Sequence, residues 1–186
     1  LINSWLDFQP KNFNTVSRMN KLQTDILKSQ SVHLADAAVR YSKINIAMFD
    51  AIMTTAAGKF KYTIQRPITY IRNVMGQTSW NSYIPLAPLP QIPTLPFPSY
   101  PSYMAAVVSA GTAILESYQG TAYPITDATQ ENLYGSFKFT SLKDFADKTL
   151  EQRIKSGQNF RFSTEAGRSS GKKIADVVNK LPYQDK

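Results

Sequence analysis

The stretch Leu142-Lys143-Asp144-Phe145-Ala146-Asp147-Lys148-Thr149-Leu150-Glu151-Gln152-Arg153-Ile154 decides the fold class. Its members Leu142, Phe145, Ala146, Thr149 and Leu150 recur at helical spacing, and the next position on that stripe is Arg153. A guanidinium on the inward side of a helix must snorkel to water or meet an anion, because burying it unpaired costs several kcal/mol. The helix therefore points a charge at the interior. Working outward, Val16, Met19, Leu22 and Ile26 predict a first helix over 15–28. Leu34, Ala38, Tyr41, Ile44, Met48 and Ile52 predict a second over about 31–57, with Gly58 as its stop. Its later half is apolar nearly all round, which predicts a central position.

Arg66-Pro67 reads as an extended residue followed by a proline that opens a short helix over 67–74. Prolines at 85, 88, 90, 93, 96, 98 and 101 make 85–101 a stiff connector without regular structure. It leads into a helix over 101–118 with Met104, Val107, Val108, Ile114 and Leu115 on one face and Gly111 allowing a neighbour to approach. A last helix, begun by Ser163 or Thr164, runs to 181 with Ile174, Val177, Val178 and Leu181 inward. Residues 1–12 read as an irregular lead-in. No strand set and no repeat is legible, so the expectation is an all-α bundle of about five main helices, one domain over 1–186. The start at Leu1 suggests the C-terminal part of a longer protein.

The chain has 186 residues, enough for one well-buried domain, and 21 Lys+Arg against 13 Asp+Glu give it a net charge of +8. That balance favours anionic ligands. The lysines are dispersed over helical surfaces, without a basic block or an Arg/aromatic pattern, so nucleic acid is not an expected partner. The absence of cysteine excludes disulfides and cysteine-ligated metal. No run is long and apolar enough to span a bilayer, since the richest, 44–57, is interrupted by Asn45 and Asp50.

Three segments hold chemistry at helix ends. Lys59 and Arg66 flank the first, Ser102 heads the helix after the proline-rich run, and Arg153 precedes Gly157-Gln158-Asn159. Free N–H groups and the dipole at a helix start favour a negative group beside Ser102, and the three cations supply charge. Order and spacing resemble the superfamily that joins type 2 phosphatidic acid phosphatases, bacterial non-specific acid phosphatases and vanadium-dependent haloperoxidases. Its first motif, Lys, six residues, Arg-Pro, is met by Lys59, Arg66 and Pro67. Its second, Pro-Ser-Gly-His, is met by Pro101 and Ser102, with Tyr103 at the glycine and Met104 at the histidine. Its third, Ser-Arg, spacer, His, is met by Arg153, with Gln152 at the serine and Asn159 at the histidine. The flanking Phe-Pro-Ser-Tyr-Pro-Ser and Gly-Gln-Asn-Phe-Arg-Phe look like the haloperoxidase-like bacterial branch.

The resemblance implies a phosphatase/haloperoxidase-like helical core and an oxyanion pocket formed by Lys59, Arg66, Ser102, Tyr103 and Arg153. It implies vanadate as a cofactor only by family likeness. It also implies an exported, extracytoplasmic protein, and pairing either with a second copy or with a missing N-terminal helical part. In that family the last histidine attacks phosphorus or binds vanadium and the other serves as acid/base. Asn159 and Met104 can do neither. The expectation is a catalytically impaired homologue that binds phosphate or another small acidic ligand, with no metal site of its own.

Two alternatives stay open. One is an active phosphatase or haloperoxidase using other groups, such as His33 with Asp36 beside it. The other is an interaction protein with a relict pocket, in which Arg66 and Arg153 pair with Asp50, Asp144 or Asp147. Tyr103 would fill the pocket or offer a stacking surface, and Tyr100, Tyr103, Phe160 and Phe162 otherwise read as core packing.

Overall fold

A computed structural model of the chain describes residues 14–83 and 94–183. The expected lead-in over 1–12 lies outside them, as does most of the proline-rich connector; its end, 94–102, has neither helix nor strand. The described elements are α1 (Thr15–Ser29), α2 (Leu34–Tyr62), α3 (Pro67–Asn73), α4 (Tyr103–Gln119), β1 (Ile125–Asp127), α5 (Glu131–Tyr134), β2 (Phe137–Phe139), α6 (Leu142–Lys155) and α7 (Arg161–Asn179). The all-α architecture is as expected, with one addition. β1 and β2 form a small antiparallel ribbon, Ile125 opposite Phe139 and Asp127 opposite Phe137. Strands of three residues are too short for alternation to register in a sequence, although Ile125 and Asp127 are buried and Thr126 is exposed.

Local chemistry explains the helix starts. Asn14 caps α1 by accepting from Ser17 N–H at 2.8 Å, and Ser141 caps α6 by accepting from Asp144 N–H at 2.9 Å. The Asp144 carboxylate accepts in turn from Thr140 N–H at 3.1 Å. Lys148 and that amide hold the Asp144 carboxyl below its ordinary value.

The central element is α4, not α2. Residues Met104 to Thr112, with Ile114 and Leu115, are buried, and α1, α2, α6 and α7 pack around them. On α2 one face, Ile44, Ala47, Met48, Ala51, Thr55 and Lys59, points inward. Ile46, Phe49, Met53 and Phe60 make an outward apolar stripe, with Phe49 60% and Phe60 71% exposed. Apolar content all round thus did not mean burial all round.

Gly58 does not stop α2, which continues to Tyr62 and ends on Thr63 in the left-handed region at φ 49°. The missing side chain of Gly58 serves packing instead. A Cβ there would lie 2.8 Å from Pro101 Cδ. Two glycines do the same for α7 against α4: a Cβ at Gly167 would meet the Ser102 carbonyl oxygen at 2.3 Å, and one at Gly171 would meet that of Ala106 at 2.2 Å. The inward face of α7 is therefore Ser163, Thr164, Gly167, Gly171, Ala175 and Val178, while the expected Val177 and Leu181 are exposed. Small residues bring the two backbones together more closely than large apolar ones allow. Gly111 behaves as expected and receives the Met19 side chain of α1.

A buried ion pair ties the ribbon to the bundle. Arg18 on α1 and Asp127 on β1 have side chains 1% and 0% exposed, and Arg18 Nε donates to Asp127 Oδ2 at 2.7 Å. The other carboxylate oxygen accepts from Thr129 N–H at 3.1 Å and from Thr129 Oγ1 at 2.6 Å. The pair has its lone pairs satisfied, which a buried carboxylate requires.

Candidate functional site

The proline-rich run ends in an irregular strap over 94–102, and the site is built against it. Proline carries no N–H, so a strap containing Pro96, Pro98 and Pro101 has more carbonyl acceptors than donors and turns them toward cations. Lys59, on the inward face of α2, donates to the carbonyls of Pro98 at 2.8 Å, Pro101 at 2.7 Å and Ser99 at 3.4 Å. Arg66 is the residue before the proline that opens α3, and its extended backbone leaves the side chain free to reach the strap. Its Nε donates to the Phe97 carbonyl at 2.9 Å, and its Nη1 to the Gln158 carbonyl at 2.9 Å. The Phe97 ring lies under both cations, 5.2 Å from Lys59 Nζ and 4.8 Å from Arg66 Cζ.

Arg153 comes from the last turn of α6, where its own carbonyl accepts from Gln158 N–H and Asn159 N–H at 3.2 and 3.1 Å. Gly157 makes that turn at φ 69° with Trp80 against it, so a side chain is excluded by conformation and by space. All three cations are at least nine-tenths buried. Burial, then the nearby Arg66 and Arg153 guanidinium groups, lowers the Lys59 ammonium from 10.5 to about 7. Three carbonyl oxygens oppose this by holding the protonated form. Burial and Arg153 bring Arg66 down to about 10, which leaves it charged at neutral pH. Among the described residues neither Lys59 nor Arg66 makes an ion pair. Asp144 and Asp147 are engaged by Lys148, Lys143 and Arg168.

Ser102 caps α4, accepting from Ala105 N–H at 3.4 Å, and its own N–H donates to the Ser163 carbonyl at 2.8 Å. Tyr103 is half-buried and packs on the core. Met104 is 3% exposed within the apolar core. Asn159 is buried beside the strap, with Nδ2 donating to the Ser99 carbonyl at 3.0 Å and to Ser99 Oγ at 3.2 Å. Ser99 Oγ in turn donates to Ser163 Oγ at 3.2 Å. Sequence reasoning missed Ser99, Ser163, Phe97 and Gln158. The doubled Pro-Ser of 98–102 was a signal for Ser99, but the acceptors of Phe97 and Gln158 are main-chain atoms that any residue supplies.

Two expectations are corrected. The aromatic cluster is not core: Tyr100 meets Tyr62 edge-on at 5.4 Å and Phe162 at 5.9 Å, Phe160 stacks on Phe162 at 5.3 Å, and Phe162 is 48% exposed. Only Tyr103 of the four packs against the core cluster. Nor is Arg66 paired with a carboxylate, since it is held by carbonyl oxygens. His33 caps α2, accepting from Ala35 N–H at 3.3 Å, at the end of that helix opposite Lys59. At the helical rise the two are roughly 40 Å apart. Among the described residues no group of three or more His, Cys, Asp or Glu could hold a metal ion, and no helix is long and apolar enough to cross a membrane.

The family model of the VCPO second helical-bundle domain matches residues 40–183. The fold is similar to the crystal structure of the first bacterial vanadium-dependent iodoperoxidase, with a TM-score of 0.80 and 25% identity over 94% of this chain and 41% of that one. It is also similar to bacterial vanadium-dependent chloroperoxidase at 16% identity, in a holo-type structure (TM-score 0.64, 89% of this chain, 40% of that one) and an apo-type structure (TM-score 0.69, 89% and 41%). The chain spans about two fifths of the length of those structures. Comparison with curated proteins returned no match. With the three motif segments converging on one strap and the family model covering most of the sequence, this chain belongs to the vanadium haloperoxidase-like family of VCPO second helical-bundle domains.

Proposed function

We propose that this domain binds a small tetrahedral oxyanion in the pocket of Lys59, Arg66, Ser102 and Arg153 and does not carry out the family chemistry. The observation that carries this reading is the electrostatic state of the pocket. Lys59 and Arg66 are buried beside Arg153, repel it, and are compensated by carbonyl dipoles instead of carboxylates. Such a group gains most from a bound anion. The N-terminus of α4 at Ser102 adds partial positive charge.

Loss of catalysis is supported by the two positions the resemblance assigns to proton transfer and to the bond-forming nitrogen. Met104 is enclosed in the core and carries no proton, and Asn159 offers an amide whose lone pair is delocalised. The residues present therefore fit an oxyanion held by charge and hydrogen bonds, and do not fit a vanadium–nitrogen bond. The reading in which His33 substitutes is opposed by its place at the far end of α2.

Calorimetric titration with phosphate tests the pocket. Binding that weakens on the order of tenfold or more in Arg66→Ala supports it, a loss of at least 1.4 kcal/mol. The absence of heat in the natural chain, at concentrations that saturate other phosphate sites, rejects it.

A further inference from the structure

A hydroxyl in the middle of a helix commonly bonds back to the carbonyl four residues earlier, as Thr24 does to Asn20 and Thr55 to Ala51. Ser109 and Thr112 on α4 do not. They are 2% and 3% exposed, and among the described residues neither hydroxyl oxygen meets a hydrogen-bond partner. A buried hydroxyl left unmet is costly, so both call for a partner from outside the chain. The two lie three residues apart on α4 and line a cleft that α6 and α7 close from the other sides. Its inner part has room for one water-sized group, and inner part and mouth together span about 270 Å³. By the helical rise Thr112 is roughly 15 Å along α4 from Ser102, which separates this cleft from the cation pocket.

The charges around the cleft divide into a committed set and an open pair. Asp147 on α6 is met on both oxygens, Oδ2 by Lys143 at 2.5 Å and Oδ1 by Arg168 at 2.7 Å. Glu116 on α4 and Lys172 on α7 also line the cleft, and among the described residues neither is in an ion pair. Burial raises the Glu116 carboxyl, and Lys172 works against the rise from across the cleft. We infer that this cleft is a second site, independent of the oxyanion pocket, for a small neutral polyol: a terminal hydroxymethyl group enters beside Ser109 and Thr112, and the next hydroxyls bridge Glu116 and Lys172. A hydroxyl donates and accepts, as do the two it joins inside. At the mouth one ligand hydroxyl donates to the carboxylate while another accepts from the ammonium. A cation would be repelled by Lys143, Arg168 and Lys172, and an anion by Glu116 and Asp147, so a neutral ligand fits best. Glu116 stands one turn beyond Thr112, about 5–6 Å on, which is the reach of a short diol.

The test is a protein NMR titration of the natural chain with glycerol and with methyl glucoside, and with 1-propanol as the control that carries a single hydroxyl. Saturable shifts centred on Ser109, Thr112, Glu116 and Lys172 are expected from at least one polyol, with a dissociation constant on the order of 10 mM and at least about tenfold below that of 1-propanol. Saturation by glycerol alone identifies an open-chain polyol, and saturation by the glucoside alone a sugar ring; either supports the site. Shifts that stay linear to about 200 mM with both polyols mean that water alone fills the cleft, and overturn the inference. So does 1-propanol binding as tightly as the polyols, which would make the cleft a merely apolar one. Thr112→Val keeps the shape and removes the hydroxyl, and should weaken polyol binding at least about fivefold; unchanged binding in the folded variant overturns the role given to that hydroxyl and the inference with it. Should that variant fail to fold, the three ligands on the natural chain decide alone.

Discussion

Arg18 and Asp127 meet inside the protein, across more than half of its length, through a buried ion pair between the first helix and the ribbon. Removing one partner leaves the other charge buried and unanswered, which costs about 3–5 kcal/mol. Asp127→Ala should lower the free energy of unfolding by that much in urea denaturation. Arg18→Met with Asp127→Leu should recover most of the loss, because a well-packed apolar replacement of a buried pair is often neutral. A double variant as unstable as the single one would mean that Thr129, bonded to Asp127, and not the charge, holds the ribbon in place.

Lys59 makes two quantities move oppositely with pH. Its folded value is lowered from 10.5 to about 7, so between those values the unfolded chain holds a proton that the folded one has released. Stability should therefore rise as pH climbs through that window. Sulfate stays a dianion throughout, and its affinity should fall over the same window as the ammonium is lost. In Lys59→Met the rise in stability should disappear, and sulfate binding should be weak and flat with pH. Parallel urea and calorimetric titrations across the window check both directions.

Gly58→Ala reverses the ordinary helix rule. Alanine in place of an interior glycine is worth about 0.5–1 kcal/mol to a helix. Here its Cβ would press on the Pro101 ring, which cannot rotate away, and overpacking of that kind costs about 1–3 kcal/mol. Net destabilisation is expected, together with weaker anion binding, because the Pro101 carbonyl is one of the oxygens that hold Lys59. A more stable variant in thermal denaturation would show that the strap yields.

The outward stripe of α2 should be visible to a hydrophobic dye. Phe49→Asp with Met53→Asp, both at exposed positions, should cut dye binding severalfold and change stability by no more than about 0.5 kcal/mol each. A large loss of stability would mean that these side chains are covered.

The helices were legible where one face is apolar and the other polar. Met19, Leu22 and Ile26 fixed α1 because each lies inward. Legibility failed where a residue's role is set by a partner far along the chain. Gly58 reads as a stop until Pro101 is beside it, and nothing in the sequence marks Arg18 as buried until Asp127 is placed. Val177 and Leu181 read as inward because glycines carry no hydrophobic signal, although Gly167 and Gly171 make the actual contact. For the site, Lys59, Arg66, Ser102 and Arg153 stood out by charge, spacing and family order. The carbonyls that hold the first two did not, because main-chain oxygens leave no mark on composition.

The glycine contacts between α4 and α7 also fix the spacing of the two helix starts beside the proposed site. With no side chain between Ser102 and Gly167, or between Ala106 and Gly171, the two helices have no compressible layer and move as one stiff lever. Ser102 at the head of one and Ser163 near the head of the other keep their spacing through any such motion. An anion bound as proposed would displace the strap carbonyls that now accept from Lys59 and Arg66, an exchange of oxygens between strap and guest.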